Sequence, residues 1–245
     1  MTWSLDQIWR YPIKGIGAER LRAVDLAPDL PLPLDRAWAV LEDGGEALDG
    51  WRSCRNFLRG AKGPSLMAIT AHVDGDLIHL SHPDRPDISV VPGADDQALF
   101  DWLTPIYPAD RRRPVALVKS PPEGMSDAPF ASISVLNLAS LRALGQKLGQ
   151  DLDPRRFRGN LWLDGLPPWA EFDLVGKTLQ IGRTRLKIIE RITRCRATEA
   201  NPATGQRDAN TLQALSDGWN HQDFGVYAKV RQGGPIKVGD TVTLL

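Results

Sequence analysis

The sequence predicts a mainly β chain with some helix, an α+β fold in two β-rich halves. Three observations lead there. Short segments with large apolar groups near period two recur along the chain and are broken by proline and glycine, the mark of a small barrel or sandwich. Helical periodicity is confined to a few short runs. The strand–helix alternation of a parallel nucleotide-binding sheet is missing, and so is any G-x-G-x-x-G or P-loop run.

The elements follow in order. Trp3, Leu5, Trp9 and Tyr11 give residues 3–13 the alternation of a first strand. Residues 21–27, 36–42, 65–73, 77–82 and 87–91 read the same way, with Asp74-Gly75 as a favoured hairpin turn between two of them. Asp95 to Leu103 is the first convincing helix and should close before Pro105. A Val-Ala-Leu-Val strand follows the solvated triplet Arg111-Arg112-Arg113. Ser120-Pro121-Pro122-Glu123-Gly124 reads as the loop between halves. Beyond it come a strand around Ile133 and a helix capped by Asn137 and stopped by Gly149. Strands at 161–163, 178–181, 185–192, 224–231 and 241–245 complete the second half, with a shorter helix near 211–216.

Composition narrows the function. Thirty basic side chains against thirty acidic ones give no global field to draw in nucleic acid or an anionic membrane. No stretch approaches the ~20 apolar residues of a bilayer span. The opening residues carry no secretory signal, so the cytoplasm is the expected compartment. Cys54 and Cys195 are the two cysteines of the chain. They cannot build a Cys₄ zinc site or hold an iron–sulfur cluster. His72, His79 and His82 lie close in sequence but fall on a hairpin without zinc-site spacing, which weighs against a metal role.

Cys195 is the candidate that carries chemistry. It ends a strand, and Arg194 and Arg196 flank it, a setting expected to favour the thiolate if the strand has ended there. A buried core thiol is the competing reading. Cys54 is also flanked by basic residues but has no other company, and is expected to be structural. Arg155-Arg156-Phe157-Arg158-Gly159-Asn160 opens the 161–163 strand, and its guanidinium groups together with those beside Cys195 could form an anion pocket. Gly159 would then let the backbone approach the anion closely.

The ordered run of Tyr11-Pro12-Ile13-Lys14-Gly15, Asp35-Arg36-Ala37-Trp38, Arg156-Phe157-Arg158-Gly159-Asn160, Arg194-Cys195, Asn201-Pro202-Ala203-Thr204-Gly205, Phe224-Gly225-Val226-Tyr227 and Val238-Gly239-Asp240 resembles one family. It is similar to the MOSC-domain proteins that carry an N-terminal MOSC β-barrel domain, the group of the amidoxime reducing components and their bacterial relatives. The resemblance spans nearly the whole chain. It implies a MOSC N-terminal β-barrel domain over 1–118, a MOSC domain over 119–245, and a cleft between the two barrels.

The same resemblance implies a molybdenum enzyme. Cys195 would be the metal ligand and catalytic residue, matching the preference of soft thiolates for soft sites. Lys14, Gly15, Arg36, Ser134, Arg158, Asn160 and Arg194 would join it in binding a molybdenum–molybdopterin cofactor; where some relatives have serine after the motif lysine, this chain has Gly15. The implied activity is an oxidoreductase, independent of pyridoxal phosphate, reducing hydroxylamines, amidoximes or N-hydroxylated bases. Its electrons would come from a separate donor protein, ferredoxin-like or of the cytochrome b5 and flavin reductase kind. The alternative is a sulfur-carrier or cofactor-binding protein using a Cys195 persulfide. No motif marks the substrate side of the cleft, the donor or the oligomeric state.

Overall fold

The computed structural model describes residues 3–46 and 50–245. It contains fifteen strands and three α-helices, joined by several single-turn 3₁₀ segments. In chain order the strands are β1 (Trp3–Arg10), β2 (Glu19–Leu21), β3 (Ala23–Leu26), β4 (Trp38–Glu42), β5 (Thr70–Asp74), β6 (Leu77–His82), β7 (Arg85–Val90), β8 (Pro114–Lys119) and β9 (Ile133–Asn137). They continue with β10 (Leu161–Asp164), β11 (Thr178–Ile181), β12 (Thr184–Thr193), β13 (Asp223–Gln232), β14 (Gly234–Lys237) and β15 (Thr241–Leu244). The helices are α1 (Asp96–Leu103), α2 (Leu138–Leu148) and α3 (Thr211–Trp219).

The second half closes on itself. Strands run β10-β9-β13-β12-β11-β15-β1, and β1 pairs back onto β10, so a seven-stranded barrel leaves no open edge. Only β9 and β10 are paired in parallel among these neighbours, and α2 is the crossover such a pair requires. Asn137 Oδ1 accepts from the Ala139 N–H at 2.9 Å to start that helix, and Gly149 stops it at φ 68°. Leu5, Ile8, Leu161, Leu163, Ile188 and Val226 fill the barrel interior. Because β1 is a barrel stave, cutting the chain at the expected 118/119 boundary would separate that stave from β10 and β15.

The first half packs around a second core that includes Ile13, Leu58, Leu66, Leu80, Leu99, Leu103 and Tyr107. Its strands form the β5-β6-β7 sheet and the β4-β8 pair. The hairpin joins Asp74 to Leu77 through Gly75 and Asp76, and Gly75 takes φ 57°. Three local expectations change. Residues 64–68 form a 3₁₀ turn instead of a strand, with Pro64 setting its first residue. Helix α1 runs on into a 3₁₀ turn through Pro105, which sits in that turn's first positions, where its missing N–H costs nothing. Strand β14, hidden by Pro235, pairs with β3 and ties the halves together. Among the described residues no helix is long and apolar enough to cross a membrane.

Candidate functional site in the cleft between the halves

A cleft with about 890 Å³ of empty space, part of it open to solvent, lies where the halves meet. Lys14, Gly15, Arg36, Ser134, Arg158, Asn160, Arg194 and Cys195 all line it. The structure adds residues that sequence reasoning did not single out for this site: Cys54, Arg59, Asp127 and Tyr227.

Backbone pairing presents the first-half cations. The Lys14 N–H donates to Trp38 O at 2.7 Å, and the Arg36 N–H to Tyr11 O at 2.6 Å. The two motifs are thereby zipped together. Lys14 Nζ donates to Met125 O at 2.8 Å and to Asp127 Oδ1 at 2.6 Å, pinning the segment before β9 across the cleft. Arg36 pairs with the buried Asp35, whose Oδ1 also accepts from the Tyr11 N–H at 2.8 Å. Two guanidinium groups lie over the Tyr11 ring, Arg36 at 5.0 Å and Arg158 at 4.3 Å from its centroid, so its π-system attracts both cations.

The second-half cations are held differently. Arg158 Nη atoms donate to the carbonyls of Gly17, Ile13 and Ile16 at 3.2–3.4 Å, crossing from one half to the other. Arg194 donates to Phe224 O and, at 2.8 Å, to Phe157 O. Neither has a carboxylate at ion-pair distance among the described residues. Burial, with Arg36 close by, pulls the Arg158 guanidinium down to about 10. Burial also pulls Arg194 down to about 10, against the stabilising influence of Tyr227, Cys195 and Asp127. Arg36 and Arg158 adopt left-handed backbone conformations, φ 50° and 47°, each a strain of roughly 1 kcal/mol or more for a non-glycine residue. Strain of this kind concentrates where a side chain must be aimed.

Ser134 and Asn160 form the floor. Asn160 Oδ1 accepts from Ser134 Oγ at 2.8 Å and from the Ser134 N–H at 3.1 Å, while Asn160 Nδ2 donates to Trp9 O at 3.2 Å. Both side chains are buried.

Strand β12 ends at Thr193, so Cys195 lies beyond the ladder, at the start of the 3₁₀ turn Arg196–Glu199. The residue is exposed and lines the cleft; its sulfur is not a core thiol. Thr198 Oγ1 donates to Cys195 O at 3.1 Å and meets Thr211 Oγ1 at 2.6 Å, and the buried Arg156 donates to Glu199 O at 3.2 Å, which fixes the turn. The expected thiolate activation by flanking arginines is reversed: although the residue reaches solvent, desolvation by the surrounding cleft walls pushes the Cys195 thiol up, Asp127 and Cys54 add to that, and the Ala197 N–H and Arg194 offset only part. Arg196 points to solvent and pairs with Glu199 at 2.9 Å. Cys54, expected to be structural, is half-buried and faces the same cleft.

The glycines also differ from expectation. Gly159 is needed because a Cβ would stand 2.1 Å from Leu136 Cδ1, a packing reason with no anion in it. At Gly15, φ is 74° and a Cβ would lie 2.7 Å from Leu58 O, so the residue after Lys14 lets the 58–59 segment close over the cleft. Of the histidines, His72 stacks on His79 across the hairpin at 6.0 Å, and His82 is buried against Ser65. Among the described residues no group of three or more His, Cys, Asp or Glu side chains is placed to share a metal ion.

This two-part layout can be set beside known proteins. The family model of the MOSC N-terminal beta barrel domain matches residues 2–100, and that of the MOSC domain matches residues 123–243. The chain belongs to the MOSC-domain family. It is 26% identical to a molybdenum cofactor sulfurase of Caenorhabditis briggsae over 92% of this chain, but spans only 33% of that protein's length. It is 23% identical to the human mitochondrial amidoxime-reducing component 1, over 99% of this chain and 83% of that protein. In fold it resembles the crystal structure of the YuaD protein from Bacillus subtilis, with a TM-score of 0.50 and 12% identity over 100% of this chain and 96% of the other.

Proposed function

We propose that this MOSC protein is a molybdenum-cofactor-dependent oxidoreductase that reduces N-hydroxylated compounds with electrons from a separate donor protein. The observation that carries the reading is the exposed residue Cys195 in a cleft whose arginines, Arg158 and Arg194, lack carboxylate partners among the described residues. Such a cleft suits a soft metal on an anionic organic carrier. The residues fit the group. Lys14 and Arg36 would hold its phosphate, Arg158 and Asn160, with Ser134 beside them, would hold its pterin, and Cys195 would bind the metal. When bound, molybdenum supplies the exchange of electrons and of the substrate oxygen.

The chain's own residues then do three things. Arg158 and the Lys14–Asp127 tie hold the two halves together across the cleft. The arginines fix the carrier's orientation by charge. Removing oxygen from an N–OH group as water consumes two electrons and two protons, and Tyr227, which lines the cleft, would hold one of the protons. Burial and Asp127 raise its hydroxyl to about 12, so it remains a donor at neutral pH. With only two cysteines, the chain has too few thiolates for an iron–sulfur cluster, which supports an external electron source. The test is reduction of benzamidoxime or a hydroxylamine by purified, molybdenum-loaded protein with a chemical reductant; inactivity across such substrates would end the reading.

Similarity to the sulfurases favours a second reading, in which Cys195 carries a persulfide without metal. Intact mass separates them: an added sulfur atom on Cys195 in metal-free protein supports the carrier.

A further inference from the structure

One cation of the cleft has no task in that reading. Arg59 lines the cleft, and its Nη1 donates to Cys54 Sγ at 2.9 Å. Its Nε is buried without a partner, and among the described residues no carboxylate stands at ion-pair distance from it. Of the other cleft cations, Lys14 and Arg36 pair with carboxylates, Arg158 and Arg194 donate to backbone carbonyls and face the cofactor in that reading, and Arg156, whose Nε is also unpartnered, pairs with Asp208 at 2.6 Å.

The Arg59 backbone is rigidly held. The N–H groups of Lys62 and Gly63 both donate to Arg59 O at 3.0 Å, and Leu58 N donates to Val40 O at 3.0 Å. Lys62 Nζ is anchored on the buried Glu42 at 2.7 Å, and Arg207 from the second half clasps Ala61 O at 2.8 Å. A Cβ at Gly60 would lie 3.4 Å from the Ala197 side chain, in the turn that follows Cys195. A guanidinium on a fixed backbone, lining a cleft and hydrogen-bonded only to a soft sulfur, is suited to a planar oxyanion.

We propose that Arg59 is a specificity-determining residue that receives a carboxylate on the N-hydroxylated substrate, so that carboxylated substrates are preferred over neutral ones of the same shape. Placing that carboxylate on a substrate rests on the reductase reading; the carboxylate contact itself does not. Carboxylate binding replaces the weak sulfur contact and covers Cys54, which becomes a reporter.

The first arm alkylates the cofactor-loaded protein with iodoacetamide and follows Cys54 by peptide mass, with benzoate or benzamide present. Benzoate should slow Cys54 alkylation severalfold in the wild type, benzamide should not, and Arg59→Gln should erase the difference. The second arm compares 4-carboxybenzamidoxime with benzamidoxime. Arg59→Gln should lower the kcat/KM ratio of carboxylated to neutral substrate about tenfold, with Arg59→Lys intermediate. Equal losses on both substrates, or no benzoate effect on wild-type Cys54, would overturn the proposal. So would a fall in pterin and molybdenum content in Arg59→Gln, which would assign the guanidinium to the cofactor's phosphate. The wild-type footprint needs neither a variant nor turnover. An inactive enzyme with a benzoate-protected Cys54 therefore retires the reductase reading while the anion site stands.

Discussion

The two walls of the cleft solve the same electrostatic problem in opposite ways. On the first-half wall, Lys14 and Arg36 are each neutralised by a carboxylate, Asp127 and Asp35. On the second-half wall, Arg158 and Arg194 spend their donors on backbone carbonyls and keep their charge. Dipoles satisfy a guanidinium's hydrogen bonds but not its charge, and burial makes the remainder costly. The second wall is therefore the one that a bound anion would stabilise most. The first wall is complete as a fold element without it.

Substitutions can break or sharpen that contrast. The largest expected effect is on turnover: Cys195→Ala should lower N-hydroxy reduction by on the order of a hundredfold or more, with the unfolding midpoint nearly unmoved because the side chain is exposed. Next comes stability. Arg36→Ala strands the buried Asp35 carboxylate and should cost about 3 kcal/mol in denaturant unfolding of the cofactor-free protein. Arg158→Gln removes carbonyl contacts but leaves no charge behind, and should cost about 1–2 kcal/mol while weakening cofactor retention more than its stability loss suggests. Equal costs would erase the distinction between the walls. Gly159→Ala should cost about 1–3 kcal/mol through its clash with Leu136, and this is a packing effect that added phosphate does not relieve.

The smallest effect is the pH dependence of the Lys14–Asp127 tie. Desolvation by the cleft walls raises the Asp127 carboxyl, but Lys14, with Arg36 and Arg194, outweighs this and holds it below the usual carboxylate range. A carboxyl depressed in the folded state adds stability above its unfolded value, near 3.9, and that stability is lost as pH falls through the lower folded value. The Asp127 side chain is 60% exposed, so the tie is worth under about 1 kcal/mol. Asp127→Asn should therefore lower stability by under about 1 kcal/mol above about pH 4, and the difference from wild type should vanish as pH falls below it.

Much of this was legible in the sequence, for reasons that differ by residue. Lys14, Arg36, Arg158 and Cys195 sit in ordered motifs, and short strands with glycine and proline turns announced the β architecture. The closure of the barrel was not legible. It depends on β1 pairing with β10 and β15, contacts between opposite ends of the chain that leave no local pattern. Pro64 and Pro235 misled the local reading, the first by opening a 3₁₀ turn inside an apparent strand and the second by disguising β14. Arg59 and Cys54 carry no motif, and only the folding of the 54–61 segment over Gly15 brings them to the site. Tyr11 fits the strand alternation, yet its ring meets two cleft arginines, a contact that no local pattern announces.

The most direct test of the cleft assignment is the molybdenum content per chain, by mass spectrometry, of protein produced in a host that makes the cofactor. Wild type and Cys54→Ala should each carry close to one atom per chain, and Cys195→Ala should carry almost none. Molybdenum retained in full by Cys195→Ala, or absent from the wild type, would contradict the account.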